Sequence, residues 1–234
     1  QPLREGDTLV LPQYAATLTH IRQVGVGDFY QGAMAQRIED ASRLVGGPLT
    51  VAELRGALPG SDQPLVVTHG RDSIAFPPPP ADGGLAAGAA FKALVANPSD
   101  GAGATARSLA AAARWRAGGI GGEAAMNATD LSPSGLPALP ASTTFGAVDR
   151  VGNATICATT MGNLFGTGRM LPGLGFLLAA SPANAPSPLL SVALAWSPRD
   201  NGFKAAVGGS GQNGAAMATA LAMLNALKTG QAMA

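Results

Sequence analysis

The stretch STTFGAVDRVGNATICATTMGNLFGTGRM runs from Ser142 to Met170. Its first half places β-branched and apolar residues on both sides of the turn Arg150–Asn153, which predicts two antiparallel strands joined as a hairpin. The stretch opens with three consecutive hydroxyl residues at the edge of the first strand. Two interpretations fit this hydroxyl cluster. It is either capping and turn chemistry on an inert scaffold, or it contains a nucleophile.

The sequence after this hairpin predicts more β-structure and one closing helix. GLGFLLAAS (173–181) favours a third strand, and PLLSVALAWSP (188–198) with GFKAAVGGS (202–210) favours a second hairpin around the turn RDNG. An apolar helix is expected over 215–227. We expect the strands from Ser142 to Val207 to form one antiparallel sheet that this helix covers.

The first half of the chain is mainly helical in pattern. Two helices are expected between Leu11 and Gly47, the second running from about Phe29 to Leu44 with Asp28 as its cap. Thr50 and Glu53 have the spacing of a capping box, and residues 64–76 read as a β-hairpin. Two Ala-rich helices follow, and residues 118–140 are Gly-, Ser- and Pro-rich. The pattern as a whole predicts an α+β fold.

Composition excludes several classes of function. Only 12% of the residues are charged and the net charge is +1, which gives no electrostatic case for binding nucleic acid or an anionic membrane. No uninterrupted apolar run reaches about 18 residues, so no membrane span is expected. The single cysteine, Cys157, and the two histidines, His20 and His69, lack metal-ligand spacing, so neither a metal nor a cofactor is expected.

A glycine-rich segment, GGSGQNG (208–214), follows a predicted strand and enters the last helix. Backbone N–H groups in such a turn can bind an anion or an oxyanion. Glycines at this kind of turn also occur for backbone reasons alone.

Three separated blocks resemble the γ-glutamyltranspeptidase family and occur in that family's order. LPQYAATLTHIRQVGVGDFYQGAMAQRI, GGPLTVAELRGAL and PPPPADGG resemble the later part of its large subunit. STTFGAVDRVGNA with LFGTGRMLPGLGFLL resembles the start of its small subunit, and VGGSGQNGAAMATALAML resembles its Gly-rich turn and the helix after it. The chain reads as a shortened, divergent member or a fragment. Residues 1–117 then correspond to the large subunit, 118–141 to a linker, and 142–234 to the small subunit.

The resemblance implies an N-terminal nucleophile hydrolase with an αββα sandwich, complete or partial. Such a precursor cuts itself before a Thr, Ser or Cys, whose freed amine then acts as general base. Asp149 with Gly152–Asn153 sets the register of the family motif, and counting back seven residues gives Ser142 as the nucleophile. The catalytic positions that the resemblance implies are Ser142, Thr143, Thr160, and the oxyanion-hole pair Gly211 and Gln212.

The positions at which the family binds glutamate depart from its pattern. Where the family has amide, acidic and hydroxyl groups, this chain has Gly162, the run AASPAN (179–184), and Leu194-Ala195-Trp196. Ser181, Asn184 and Trp196 are the weak substrate-binding candidates that remain beside Gly162. A glutamyl group would lose most of its polar partners, which costs several kcal/mol.

Two hypotheses follow. The first is an enzyme that hydrolyses amides or transfers acyl groups after self-cleavage before Ser142, acting on a small amide or peptide less polar than a glutamyl compound. The second is an inactive family member that serves as a binding or structural module. The resemblance also implies a periplasmic or secreted location, with the cytoplasm as the alternative, and pairing with an N-terminal region or with another copy of the chain.

A pocket is expected where Ser142, Thr160 and Gly211–Gln212 converge, with apolar walls from Leu194 and Trp196.

Overall fold

The computed structural model describes residues 4–118, 121–128, 136–184 and 186–229. The helices in these ranges are α1 (Pro12–Val24), α2 (Val26–Gln31), α3 (Ala33–Leu44), α4 (Val51–Gly56), α5 (Asp82–Ala96), α6 (Gly101–Arg116), α7 (Gly122–Asn127) and α8 (Ala215–Thr229). The strands are β1 (Leu65–His69), β2 (Asp72–Phe76), β3 (Thr143–Val148), β4 (Ala154–Thr159), β5 (Ser191–Trp196) and β6 (Phe203–Gly209).

The described residues form two compact units. The first contains residues up to Ser61 together with Phe165–Ala180, and the second contains Asp62–Leu164 with the residues from Ser181 onward. This grouping by contacts differs from the division around 118–141. That division concerns the two subunits of the resembled family, and it stays a prediction.

The first unit packs helices α1 to α4 around the segment 165–180. Met34 and Ile38 of α3 are buried against Leu171, Leu174 and Leu178 of that segment. The predicted helix from Phe29 to Leu44 is interrupted, because α2 ends at Gln31 and α3 begins at Ala33.

The expected cap at Asp28 is wrong, because the N-cap of α3 is Gly32. Asp28 lies within α2 and bonds the first turn of α3 through its side chain. Its carboxylate accepts the N–H groups of Ala33 (2.8 Å) and Met34 (3.1 Å) and lies 2.7 Å from Nε2 of His20. The hydrogen bond from His20, followed by those from Met34 and Ala33, holds the pKa of Asp28 below its ordinary value. The expected capping box is confirmed, since Thr50 and Glu53 each bond the other's backbone N–H.

The prediction of a third strand at 173–181 is wrong. Only one isolated bridge, between Met170 and Leu177, forms in this region. Gly173 and Gly175 have φ values of 72° and 73°, and the Leu171 N–H bonds the Phe176 carbonyl at 2.9 Å. The chain therefore turns back on itself where a strand would have to continue extended.

The second unit contains two antiparallel sheets. The larger has the strand order β1-β2-β5-β6, and the smaller is the hairpin β3–β4. The predicted hairpins at 64–76 and at 188–210 are confirmed as β1–β2 and β5–β6. The expected single sheet from Ser142 to Val207 is wrong, because β5 pairs with β2 from the first half of the chain.

Helices cover one face of the larger sheet. Alternate residues Ala193 and Ala195 of β5 lie in one core with Phe91 of α5 and Met223 of α8. The other face meets the hairpin, since a Cβ placed on Gly208 of β6 would lie 2.6 Å from Thr144 of β3. The described elements of this unit therefore stack as helices, a four-stranded sheet and a two-stranded sheet. The region 118–140, expected to be irregular, contains the short helix α7.

A buried ion pair joins the first turn of α5 to the last turn of α6. Nε and Nη2 of Arg116 donate to the carboxylate of Asp82 at 2.6 and 3.3 Å, and Nη2 also donates to the carbonyl of Ser187 at 2.7 Å. The side chain of Asp82 is 5% exposed. Removing the guanidinium would leave this carboxylate buried without its counter-charge.

We predict that Arg116→Met lowers the free energy of unfolding by about 3–5 kcal/mol, the usual effect of leaving a buried charge unpaired. Urea unfolding monitored by circular dichroism measures it. Arg43→Met is the control, because Arg43 is 70% exposed in its pair with Glu39, and we expect a loss of at most about 1 kcal/mol. Equal effects of the two substitutions would contradict the structural role of the Asp82–Arg116 pair.

Candidate active site at the start of strand β3

The register of the hairpin β3–β4 places Thr160 opposite Ser142. Thr143 pairs with Thr159 and Val148 with Ala154, so the same register extended by one residue aligns Ser142 with Thr160.

Asp149 closes the hairpin at its other end. Its carboxylate accepts the N–H groups of Val151 and Asn153 at 2.9 Å each and the side-chain amide of Asn153 at 2.7 Å. The motif Asp149–Asn153 thus fixes which residues face each other at the open end.

Ser142 is half-buried and joined to the loop after β6. Its N–H donates to the carbonyl of Gly211 at 2.8 Å, and its carbonyl accepts the N–H of Gly211 at 3.2 Å. Its hydroxyl also donates to the Gly211 carbonyl, at 3.2 Å. Because side chains alternate along a strand, Ser142 lies on the same face of β3 as Thr144, whose Oγ1 is 3.3 Å from Oγ of Ser210.

Thr160 contacts the peptide bond that precedes Ser142. Its Oγ1 donates to the carbonyl oxygen of Ala141 at 2.7 Å and accepts the N–H of Gly162 at 3.0 Å. The Gly162 contact orients the hydroxyl, since it occupies an acceptor position and leaves the proton for the carbonyl. A hydroxyl donor on a carbonyl, next to a second hydroxyl, is an arrangement that can stabilise an oxyanion on that carbonyl.

The loop between β6 and α8 lies against the same backbone. Gly211 has a φ of 123°, a conformation that side chains rarely adopt, and its N–H is engaged by the Ser142 carbonyl. The Gly211 N–H is therefore committed to Ser142 while the chain is intact, and Thr160 is the donor on the Ala141 carbonyl. The oxyanion role implied for Gly211 and Gln212 stays a prediction.

The structure brings Ser142, Thr160, Gly162 and Gly211 together, and Gln212 follows Gly211 and bonds the backbone of Leu139. The other candidates do not share these contacts. Thr143 is exposed and lies on the opposite face of β3 from Thr144. Ser181 is exposed and accepts the N–H of Ala183 at 3.3 Å. Asn184 ends that turn (Pro182–Asn184), and its side chain lies outside the described part of the structure.

Trp196 lies at the end of the larger sheet away from Ser142, and Leu194 pairs with Ala206 in the middle of β6. Trp196 pairs with Phe203 at the start of β6, whereas Gly211 follows the end of β6, where Ser191 pairs with Gly209. Five residues of strand separate these two ends, about 16 Å. A cavity of about 330 Å³ is lined by Val66, Thr68, Phe91, Lys92 and Glu123 among others, at the β1 edge of the sheet and away from β6.

The sequence reasoning missed the side chains of Gln212 and Asn213. Gln212 Nε2 donates to the carbonyl of Leu139 at 2.9 Å, and Asn213 bonds the backbone of both Leu139 and Pro137. The signal that could have found them is the pair of adjacent amide side chains in GQNG (211–214). The segment before Ser142 contains Pro137 and Pro140, so its carbonyls are not used in a helix or a strand and can accept hydrogen bonds from these amides. Among the described residues, no group of three His, Cys, Asp or Glu side chains could hold a metal ion, and no helix is long and apolar enough to cross a membrane.

Comparison with known proteins finds similarity in sequence and in fold. The sequence model of the γ-glutamyltranspeptidase family matches residues 1–108. The chain is 35% identical over 85 residues to the glutathione hydrolase proenzyme of Bacillus subtilis (strain 168), which covers 36% of this chain and 14% of that protein. It is 34% identical over 85 residues to the human glutathione hydrolase 5 proenzyme, again covering 36% of this chain and 14% of that protein.

Residues 1–108 are thus similar in sequence to the γ-glutamyltranspeptidase family, and these matches support a relationship of the chain to that family. The aligned region spans about one seventh of the length of these curated relatives. The fold is also that of the cephalosporin acylase from Bacillus halodurans, with a TM-score of 0.66 and 16% identity over 97% of this chain and 49% of that one. The chain has an α+β fold with antiparallel sheets, as predicted, and helices cover one face of the larger sheet.

We predict that the hairpin loses stability in acid because of Asp149. Its hydrogen bonds, first that from the Asn153 side chain, hold the pKa of Asp149 below its ordinary value. The folded pKa is lowered, so the stabilisation is present above the unfolded value of about 3.9 and is lost as the pH falls through the folded pKa. In Asp149→Asn, the fall in the free energy of unfolding below about pH 4 should be smaller than in the unsubstituted chain.

Asp62→Asn, at an exposed aspartate before β1, is the matched control and should retain the acid dependence of the unsubstituted chain. Urea unfolding at a series of pH values measures all three chains. An unchanged acid dependence in Asp149→Asn would show that the turn does not hold the hairpin register.

Proposed function

We propose that this chain is a self-cleaving amide hydrolase or acyl transferase whose nucleophile is Ser142. The observation that carries the proposal is the 2.7 Å hydrogen bond from Thr160 Oγ1 to the Ala141 carbonyl. This carbonyl belongs to the peptide bond immediately before the Ser142 hydroxyl. The word proenzyme in the names of the relatives agrees with a precursor that must be cut.

The cleavage step uses the two hydroxyls in different roles. Ser142 Oγ adds to the carbonyl carbon of Ala141, and the negative charge that develops on the carbonyl oxygen is stabilised by the Thr160 hydroxyl. The bond from that carbon to the Ser142 nitrogen then breaks, and the nitrogen takes the proton that left Oγ. The product is an ester between Ala141 and Ser142 Oγ with a free amine on Ser142. Water hydrolyses the ester, which gives an Ala141 carboxylate and restores the hydroxyl.

The freed amine is the base for the second reaction. A terminal amine has a pKa of about 8 and lies within reach of its own side chain, so it can accept the Oγ proton at neutral pH. Ser142 then attacks the carbonyl of an external amide, and the acyl group passes to water or to an acceptor amine. Once Ser142 has a free N-terminus, the Gly211–Gln212 backbone is the candidate oxyanion hole for this step.

The substrate of this reaction is a small amide or peptide that is less polar than a glutamyl compound. Gly162 contributes only its backbone to the site, where it orients Thr160. Ser181 bonds the N–H of Ala183, and Trp196 pairs with Phe203 at the far end of β5, which supports the proposal that neither side chain binds a zwitterionic group. We further propose a secreted or periplasmic location, and pieces corresponding to residues 1–141 and 142–234 after cleavage.

We predict that the purified chain cuts itself at the Ala141–Ser142 bond, giving a C-terminal piece that begins at Ser142. Ser142→Ala should abolish cleavage, and Thr160→Val should slow it by about 10²–10³-fold through loss of the oxyanion donor. Intact mass against time measures this. Thr159→Val is the matched control, because Thr159 is the exposed last residue of β4, next to Thr160, and this variant should cleave at the normal rate.

Cleavage at this bond in Ser142→Ala would show that another protease or another residue performs it. A chain that stays intact through long incubation would contradict the enzyme and favour the inactive binding or structural module.

We also predict a preference for apolar acyl groups. The cleaved chain should transfer or hydrolyse the γ-glutamyl group of a glutamyl anilide at least about 10²-fold more slowly than it hydrolyses an anilide with an aliphatic acyl group, because loss of positioning contacts alone costs about this much. Release of the aniline, followed by absorbance, measures both rates. Faster turnover of the glutamyl anilide would overturn the assignment of an apolar substrate.

A further inference from the structure

Two adjacent side chains hold the backbone just before the candidate cleavage bond. Asn213 Oδ1 accepts the N–H of Leu139 at 3.0 Å, and Asn213 Nδ2 donates to the Pro137 carbonyl at 3.0 Å. Gln212 Nε2 donates to the Leu139 carbonyl at 2.9 Å. These two side chains are here called the amide clamp. They satisfy both backbone polar groups of Leu139, which is three residues from Ser142.

The clamped segment is also anchored through its side chains. Leu139 is 1% exposed and lies in the main core of the second unit, and Leu136 packs against the same core. The buried Leu139 side chain therefore fixes this segment against the core, and the hydrogen bonds of the amide clamp then hold its backbone. Sliding the segment by one residue would expose Leu139 and break all three clamp bonds.

The backbone between the amide clamp and the cleavage bond has little conformational freedom. Only Pro140 lies between Leu139 and Ala141, and the proline ring fixes φ near −65°. The residue before a proline is also restricted to extended conformations, which limits Leu139. Fewer backbone torsions are therefore free to absorb a displacement at Leu139 before it reaches the Ala141 carbonyl.

One loop contacts both sides of the cleavage bond. Gly211 bonds the backbone of Ser142, and the next two residues, Gln212 and Asn213, bond the backbone of Leu139 and Pro137. The Thr160 hydroxyl contacts the Ala141 carbonyl between them. The backbone from Pro137 to Ser142 is thus held at four of its six residues.

We propose that Gln212 and Asn213 are positioning residues for self-cleavage, because they hold the backbone that carries the Ala141 carbonyl against the hydroxyl of Thr160. This inference rests on the proposed function. The two residues do not touch the reacting atoms, and they act through the backbone of Leu139. Their side chains, not only the backbone of the Gly-rich loop, then determine the rate at which the precursor matures.

The test compares the cleavage rate of full-length chains that keep or lose the clamp bonds. Gln212→Met keeps the length of the side chain but removes the donor, whereas Gln212→Lys keeps a donor. Asn213→Leu removes both bonds, whereas Asn213→Asp keeps the acceptor for the Leu139 N–H. Gln36→Met is the control, since the Gln36 amide is exposed on α3 and contacts Asp40.

We expect Gln212→Met and Asn213→Leu each to slow cleavage by about 3- to 10-fold, as the loss of one or two hydrogen bonds predicts. The double substitution should slow it by about 10- to 100-fold. Gln212→Lys and Asn213→Asp should recover part of the rate, and Gln36→Met should leave it unchanged. In a Ser142→Ala background, where no cleavage occurs, Asn213→Leu should speed hydrogen exchange at the Leu139 amide.

Recovery of the rate by the donor- and acceptor-keeping variants separates positioning from a general loss of stability, which they would not repair. Normal cleavage rates in both Gln212→Met and Asn213→Leu would overturn the clamp while leaving the proposed function intact. Equal slowing by all four clamp substitutions would also overturn it. Absence of cleavage in the unsubstituted chain would overturn the proposed function and the clamp's role in it.

Discussion

The candidate site depends on the register of one two-stranded hairpin. The carboxylate of Asp149 closes the turn with hydrogen bonds to Val151 and Asn153, and from there the pairing runs without a bulge to Thr143 and Thr159. A slip of one residue would turn every side chain of β3 to the other face. Ser142 would then leave the Gly211 loop, and Thr160 would no longer reach the Ala141 carbonyl. The chemistry at one end of the hairpin is therefore determined by a turn at its other end.

Small residues allow this hairpin to lie close to the larger sheet. Gly208 has no Cβ where Thr144 approaches, and six of the thirteen residues of β5 and β6 are alanine or glycine. Close layers bring the loop after β6 into contact with the start of β3, which is where Ser142 and Gly211 bond. The low content of charge and the high content of glycine and alanine are thus part of how the site is assembled. Close packing also makes the second unit sensitive to small increases in side-chain volume.

The local signals in the sequence predicted local structure well. The hairpins β1–β2, β3–β4 and β5–β6, the capping box at Thr50, and the long helices all follow from turn residues, caps and periodicity. The pairing of β5 with β2 could not be predicted in this way, because it depends on which apolar faces meet across more than 100 residues. The strand expected at 173–181 failed because Gly173 and Gly175 bend a run that is otherwise apolar. In the site, the resemblance to the γ-glutamyltranspeptidase family pointed to Ser142, Thr160 and Gly211. The contacts of Gln212 and Asn213 required the three-dimensional position of the segment before Ser142, which has no regular secondary structure to predict.

The central claim is that Ser142 Oγ attacks the Ala141 carbonyl, and trapping the ester between them with hydroxylamine tests it most directly. Hydroxylamine cleaves esters much faster than amides, so it should accelerate release of the piece ending at Ala141. Mass spectrometry should find that piece as a hydroxamate at Ala141, and Thr160→Val should reduce its yield. A piece that ends in a free carboxylate at an unchanged rate, or a hydroxamate that forms equally in Ser142→Ala, would contradict the account.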